Sequence, residues 1–295
     1  MSLPTLRQLR TFLAVVDEGS VSLAARALGL TQPAASQQLR ELERNLGIRL
    51  LDRAAGRSLP TAAGAAFAAP ARRAVAAAEE ALAAALSHRE GHAGRVRLGT
   101  GATACIHLLP PVFAALKRRL PALEVVVVTG NSDEMVRRVE EGALDCAVVT
   151  LPLARNRALQ ITPLVADPLV ALLPKAMAGP GRSIRPAELA ALPLILYEAG
   201  GRTRGLIDAW FERAGLTPRP AMELGSVEAI KGLVSSGLGA SILPALAAAG
   251  PGIPDTVVRP LQPALGRKLG LVLRREKVLD RGLRALVEAL ERLGE

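Results

Sequence analysis

The sequence predicts an all-α N-terminal unit carrying a winged helix-turn-helix, then a long linker helix, then an α/β unit of two similar lobes. Three observations predict it. At 295 residues the chain is about twice the size of a common domain. Residues 1–60 show short helical periods punctuated by glycines and closed by two strand-like segments. Beyond residue 94, apolar strand-like runs alternate with helical patterns in two successive sets. The expected boundaries are 1–60, 61–89 and 90–295, with lobe I at about 95–165 and 267–295 and lobe II at about 166–266.

Leu6, Leu9, Leu13 and Val16 recur at helical spacing and give a first amphipathic helix that stops at Asp17-Glu18-Gly19. Ser20 is placed to cap a second helix with Val21, Ala24, Ala25 and Leu28 on its buried face and Gly29 ending it. Thr31 can cap a third, with Pro33 tolerated in its first turn. There Ala35, Leu39, Leu42 and Leu46 face inward, and Ser36, Gln37, Arg40 and Arg44 outward. Two short helices joined by a glycine-containing turn form a helix-turn-helix. Ile48 to Leu51 and Ser58 to Pro60 read as the strands of a wing whose turn carries Arg53 and Arg57.

Thr61 then caps an alanine-rich helix running to about His88, with Phe67, Ala71, Ala74, Ala78, Leu82 and Ala85 three and four apart. Such small side chains bury little apolar area alone. The stripe therefore predicts pairing with a second copy, packing on its own domain being the alternative. HREGHAGR, bracketed by Gly91 and Gly94, breaks the helix as a hinge.

In the α/β unit, strands are expected at Val96 to Gly99, Val125 to Thr129 and Cys146 to Thr150, with helices from Leu108 and Ser132. The second set has strands at Leu194 to Tyr197, Ala221 to Leu224 and Ala240 to Leu243, with helices from Thr203 and Ser226. A last strand at Leu269 to Leu273 and a helix over Asp280 to Leu293 follow the completed second set. The chain should therefore return to the first lobe, leaving two crossing strands as a hinge.

The net charge is +10 and the sequence pI about 10.8, which favours a polyanionic partner. One Trp, one Tyr and four Phe are too few for a base-stacking platform, so double-stranded DNA is favoured over single-stranded nucleic acid or RNA. No apolar run approaches the roughly 18 residues of a membrane span, and the start lacks a secretory pattern, so no membrane association and a cytoplasmic location are expected. Cys105 and Cys146 read as small buried side chains rather than a bridge.

No catalytic constellation is present, and the pattern predicts no enzyme, no metal and no cofactor. His88, His92 and His107 fit no HExxH pattern, and CxxC, GxSxG and P-loop motifs are missing. GTGATA, from Gly99, lacks the third glycine of a dinucleotide loop. Its physical half remains: Gly101 to Ala104 lie between a strand and a helix, where free N–H groups attract anions.

The run LRQLRTFLAVVDEGSVSLAARALGLTQPAASQQLRELERNLGIRLLDR, followed by LPTAAG, resembles the DNA-binding domain of the LysR-type transcriptional regulators. LLPPVFAALKRRLPALEV, EGALDCAVV and IKGLVSSGLGASILP resemble that family's effector-binding domain, so the resemblance covers nearly the whole chain. It implies two lobes of periplasmic-binding-protein-like fold and a homodimer or homotetramer. It also implies a grip on DNA modulated by a small-molecule effector between the lobes.

Thr31, Gln32, Pro33, Ser36 and Gln37 match the family's DNA-contact positions, although Thr31 suits capping equally. Gln can pair bidentately with adenine in a major groove, Arg40 suits a phosphate, and Arg53 on the wing could reach a minor groove. Arg57 is as readily a solvated charge. Open α/β sheets bind ligands at the carboxyl ends of their strands. Thr103, Asn131 and Thr150 fall there in lobe I, and Arg202, Thr203 and Ser226 in lobe II, with Thr103 and Ser226 equally suited to N-caps. With Gly101 to Thr103 at one helix start, Ser226 at another, and Arg202 at the rim, the expected effector is anionic.

Overall fold

The structure is a computed structural model and describes residues 3–54, 57–86, 94–249 and 252–294. The chain divides into two compact units, one of residues 1–90 and 141–143, the other of 91–140 and 144–295.

In the first unit, helices α1 (Leu6–Glu18), α2 (Val21–Ala27) and α3 (Gln32–Leu46) are capped by the side chains of Thr5, Ser20 and Thr31. Gly19 and Gly47 end α1 and α3 in the left-handed region at φ 65° and 68°, where a Cβ is strained. Strands β1 (Leu51–Ala54) and β2 (Arg57–Pro60) pair antiparallel as the wing. The Glu43 carboxylate pins the wing's base by accepting from the backbone N–H groups of Leu50 (2.7 Å) and Leu51 (3.1 Å).

Helix α4 (Ala62–Leu86) is capped by Thr61, and a Cβ on its Gly64 would stand 2.0 Å from the Leu50 carbonyl oxygen. The glycine of LPTAAG is thus the contact point between helix and wing. Around Phe12, Leu39 and Leu42 the core takes in Ala71, with Phe67 packed edge-on against Phe12. Two expectations change here. Ala71 belongs to its own domain's core, so the free stripe of α4 is the other one, Ala66, Ala74, Ala77 and Ala81, with Leu82 60% exposed. Leu28 is exposed, because α2 ends at Ala27. The predicted hinge with His88, Gly91 and His92 lies outside the described residues.

The second unit is built on a six-stranded sheet of order β4-β3-β5-β10-β6-β9. Its strands are β3 (Arg95–Thr100), β4 (Glu124–Thr129), β5 (Cys146–Leu151), β6 (Leu159–Pro174), β9 (Ser241–Pro244) and β10 (Thr256–Arg274). Strand β3 is parallel to β4 and β5, whereas β10 runs antiparallel to β5 and β6. Strands β7 (Ile195–Tyr197) and β8 (Met222–Leu224) pair in parallel, and a bridge from Leu194 to Ala240 sets β7 beside β9.

The sheet therefore comprises two lobes joined by β6 and β10, each long enough to serve both. These are the expected crossing strands; β6 itself is not among the predicted strands. Helices α5 (Ala102–His107), α6 (Pro110–Arg119), α7 (Ser132–Glu140) and α12 (Arg281–Glu291) cover lobe I. Helices α8 (Pro186–Ala190), α9 (Arg202–Glu212), α10 (Val227–Ser235) and α11 (Ala245–Ala248) accompany lobe II. Among the described residues, no helix is long and apolar enough to cross a membrane.

Two polar clusters stiffen this frame. In lobe I the buried Asp145 carboxylate accepts from the Arg97 backbone N–H (2.7 Å) and faces the Lys277 ammonium at 3.0 Å. At the lobe junction Asp167, on β6, accepts from Arg267 Nε on β10 at 2.9 Å and from the Leu246 N–H at 3.1 Å.

Candidate functional site

Helix α3 presents its first turns to solvent because its buried residues Ala35, Leu39 and Leu42 turn inward, where α1 and α2 pack against the helix. Thr31, Gln32, Pro33, Gln37 and Arg40 are exposed. Thr31 acts as the cap, its hydroxyl accepting from the Ala34 N–H at 3.4 Å. The Gln37 amide donates to Glu41 Oε1 at 3.0 Å, one turn on, which fixes the side chain along the helix face. Ser36, expected outward, is only 9% exposed. It sits next to Ala35 at the edge of the buried stripe, and its hydroxyl accepts from Gln32 Nε2 at 3.5 Å. Arg53 stands on β1 opposite Ser58, and its side chain lies outside the described residues.

In the second unit the carboxyl ends of β3, β4, β5 and β7 converge on one cavity of about 570 Å³ between the lobes. Gly101, Thr103, Asn131, Thr150, Arg202 and Thr203 line it. Ser226 does not. It N-caps α10, accepting from the Ala229 N–H at 3.3 Å, while its neighbours Gly225 and Val227 face the cavity. Gly101 is the N-cap of α5, so Thr103 is free of that duty and lies buried in the first turn. The Asn131 carboxamide oxygen accepts from the Glu134 N–H at 2.8 Å, and Ser132 Oγ accepts from the Thr150 N–H at 3.1 Å.

The rim is bridged from lobe to lobe. Arg202 Nε donates to Asp133 Oδ1 at 3.1 Å, and Nη1 donates to the Pro152 carbonyl. The positive charge expected at the rim is thus already engaged by lobe I. Across the second bridge, His107 Nε2 lies 3.2 Å from Glu228 Oε1. Burial alone would raise the Glu228 carboxyl, but Lys231 and His107 more than offset it and hold it below the usual carboxylate range.

Two cavity residues escaped sequence reasoning. Arg267, on β10, is 8% exposed and donates from Nη1 to Thr203 Oγ1 at 3.0 Å. Tyr197, at the end of β7, is held by Arg204, which donates to its carbonyl and to Glu223 at 2.5 Å. Burial pushes the Tyr197 phenol well up from its ordinary value. No strand-end rule reaches Arg267, because it stands inside the long β10 beside Lys268, ahead of the strand expected from Leu269.

The thiols lie elsewhere. Cys146 is buried in β5 and its thiol is pushed far up by that burial, Cys105 is half-buried on α5 rather than fully buried, and neither lines the cavity. Among the described residues no group of His, Cys, Asp and Glu could hold a metal ion.

Comparison with known proteins places both units. Residues 6–65 match the bacterial regulatory helix-turn-helix protein, lysR family, and residues 89–294 match the LysR substrate binding domain. The chain is 33% identical over 298 residues to the HTH-type transcriptional regulator CbbR of Xanthobacter flavus, covering 98% of this chain and 88% of that one. It is 31% identical over 274 residues to a probable hydrogen peroxide-inducible genes activator of Mycobacterium leprae, covering 92% and 88%. The crystal structure of CbnR, a LysR family transcriptional regulator, matches with a TM-score of 0.72 at 26% identity, over 99% of both chains. A full-length OxyR variant from Pseudomonas aeruginosa matches in fold, at a TM-score of 0.77 and 23% identity over 98% and 95%. With a helix-turn-helix unit and a two-lobed cleft both matched along the chain, the protein belongs to the LysR family of DNA-binding transcriptional regulators.

Proposed function

We propose that this regulator grips duplex DNA as a homodimer or homotetramer and that a small anionic effector in the inter-lobe cleft modulates the grip. The observation that carries the reading is the cleft's donor set. Thr103, Thr150, Tyr197, Thr203 and Arg267 line a cavity to which α9 presents an N-terminus capped by Gly201, with no side chain occupying its N–H groups. On the DNA side, Thr31, Gln32, Pro33 and Gln37 form the exposed start of α3, with Arg40 beside them for phosphate and Arg53 on the wing for a minor groove. CbnR, at 26% identity, has been solved full-length in complex with its target DNA, which supports the DNA-binding part of this reading. The unpartnered Ala66, Ala74, Ala77 and Ala81 stripe of α4 supports pairing of two copies, since close helix approach needs small side chains. Ser36, nearly buried, serves this reading by orienting Gln32.

The test is calorimetric titration of the protein with carboxylates, sulfate, phosphate and neutral aromatics, followed by DNA binding with and without the ligand found. Preference for a neutral or cationic compound, with affinity indifferent to Thr103→Val, would refute the anionic effector.

A further inference from the structure

We propose that the floor of the cleft is a carboxylate-binding subsite made by Arg267, Tyr197, Thr150 and Thr203, selecting a monocarboxylate over a doubly charged anion. It rests on the anionic-effector reading above and adds the groups that hold the charge. Arg267 is anchored rather than free: Nε donates to Asp167 Oδ2 at 2.9 Å and Nη1 to Thr203 Oγ1 at 3.0 Å, with Thr150 Oγ1 at 3.5 Å. Its Nη2 lies 2.8 Å from the Asp167 oxygen that Nε already occupies, and among the described residues its hydrogens find no well-directed acceptor. The Tyr197 hydroxyl faces the Thr103 side chain and is likewise buried, with no well-directed hydrogen bond among the described residues.

Buried polar groups without partners are uncommon and destabilising. Here two of them belong to residues lining one cavity. What they lack is an acceptor. Thr150 and Thr203 accept from Arg267, so their own hydroxyl hydrogens are left to donate outward, and burial keeps the Tyr197 phenol protonated as a donor. A planar carboxylate supplies two acceptor oxygens and suits a guanidinium edge.

The charge balance sets the valence. Asp167 neutralises Arg267, Asp133 engages Arg202, Asp208 and Glu223 engage Arg204, and Glu198 adds a negative charge to the cavity wall. The cleft thus offers many hydrogen bonds but little net positive charge, which fits one negative charge better than two.

The experiment uses the full chain at constant ionic strength, titrated with glycolate, pyruvate and benzoate against inorganic phosphate and sulfate. Tyr197→Phe and Thr203→Val are compared with Thr103→Val. Substituting Arg267 is avoided because it would leave Asp167 buried without its counter-charge. At least one carboxylate should bind more tightly than phosphate or sulfate, and Tyr197→Phe and Thr203→Val should each weaken it about tenfold. The ligand-free Tyr197→Phe protein should melt no lower than the parent, since it loses only an unpartnered hydroxyl. Carboxylate binding weakened by Thr103→Val but untouched by the other two variants would overturn the subsite and leave the cleft reading standing. Tighter binding of phosphate or sulfate than of every carboxylate would overturn the monocarboxylate class, and a lower melting point for ligand-free Tyr197→Phe would show a structural hydroxyl instead. Failure of every anion to bind would overturn both readings.

Discussion

Asp145→Asn should destabilise the α/β unit by about 3–5 kcal/mol, the cost of breaking a buried ion pair from one side. The magnitude follows from the site: the carboxylate and the Lys277 ammonium are both buried 3.0 Å apart, and the other carboxylate oxygen accepts from the Arg97 N–H at 2.7 Å. An asparagine can keep the neutral hydrogen bond but not the charge facing Lys277. The single tryptophan, Trp210, is 1% exposed in lobe II and donates to the Pro263 carbonyl at 2.7 Å, so its emission reports on this unit and not on the winged one. Urea unfolding followed at Trp210 should show the midpoint falling by about 1–2 M, with slopes of roughly 2–3 kcal/mol/M for a unit this size. Asp145→Asn with Lys277→Met should recover part of the loss, because the ammonium that faced the Asp145 carboxylate is then removed as well. The pH dependence has a definite sign. Burial would raise the Asp145 carboxyl, yet Lys277 and Arg97 together hold it below its ordinary value. Its stabilisation is therefore complete above about pH 4 to 5 and drains away as the pH falls through the folded-state value. An unchanged urea midpoint in Asp145→Asn, or no difference between parent and variant in the stability lost from pH 5 to pH 3, would refute the reasoning.

Gln37→Ala should reduce discrimination at one or two base positions by roughly 1–3 kcal/mol, whereas Arg40→Ala should weaken all sequences and flatten the salt dependence; titrations of operator variants over a salt series separate the two. Intact base preference in Gln37→Ala would move the recognition face elsewhere. Gly64→Ala should cost several kcal/mol in the winged unit, because its methyl would stand 2.0 Å from the Leu50 carbonyl oxygen, and circular dichroism melts would reveal a parent-like variant if that contact could relax. Ala74→Glu with Ala81→Glu should dissociate the dimer in sedimentation, an unchanged mass ruling out the exposed stripe of α4. Arg202→Ala removes the ties to Asp133 and Pro152 and should widen the ligand-free cleft, measurable as a larger radius of gyration of the α/β unit in X-ray scattering; identical scattering would show the bridge to be passive.

Helices α1 to α3 were legible because caps, glycine stops and apolar period all agree locally. Ser20 and Thr31 accept where a capping reading puts them. The strand ends were legible for the same reason, and six of the seven expected cleft residues line the cavity. What stayed hidden depends on non-local packing. Strand β6 contains Pro163 and Pro168, which disqualify a central strand by local rules; both are nevertheless in register, opposite Gly270 and Gly266 of β10, with shifts at Leu269/Gly270 and Pro260/Leu265. Ser36 and Ala71 were misplaced because their exposure is set by neighbours on other helices, not by their own period. Arg267 was invisible because nothing near it in sequence foretells Asp167, one hundred residues away.

The sharing of β6 and β10 between the lobes also governs the order in which the protein can be born. The core of the winged unit, with α4, is complete once residue 86 has emerged, only residues 141–143 joining that unit later. Lobe I, begun by β3, can pair β5 with β3 but leaves the other edge of β5 open until β10 arrives about 170 residues after α4 ends. At ribosomal speeds of about 5–20 residues per second that interval is roughly 10 to 30 s. For that time the nascent chain carries a finished DNA-binding fold on an unfinished effector domain. Ligand control is thus the last property the molecule acquires, and a chain truncated before β10 would keep the means to touch DNA without the means to be regulated.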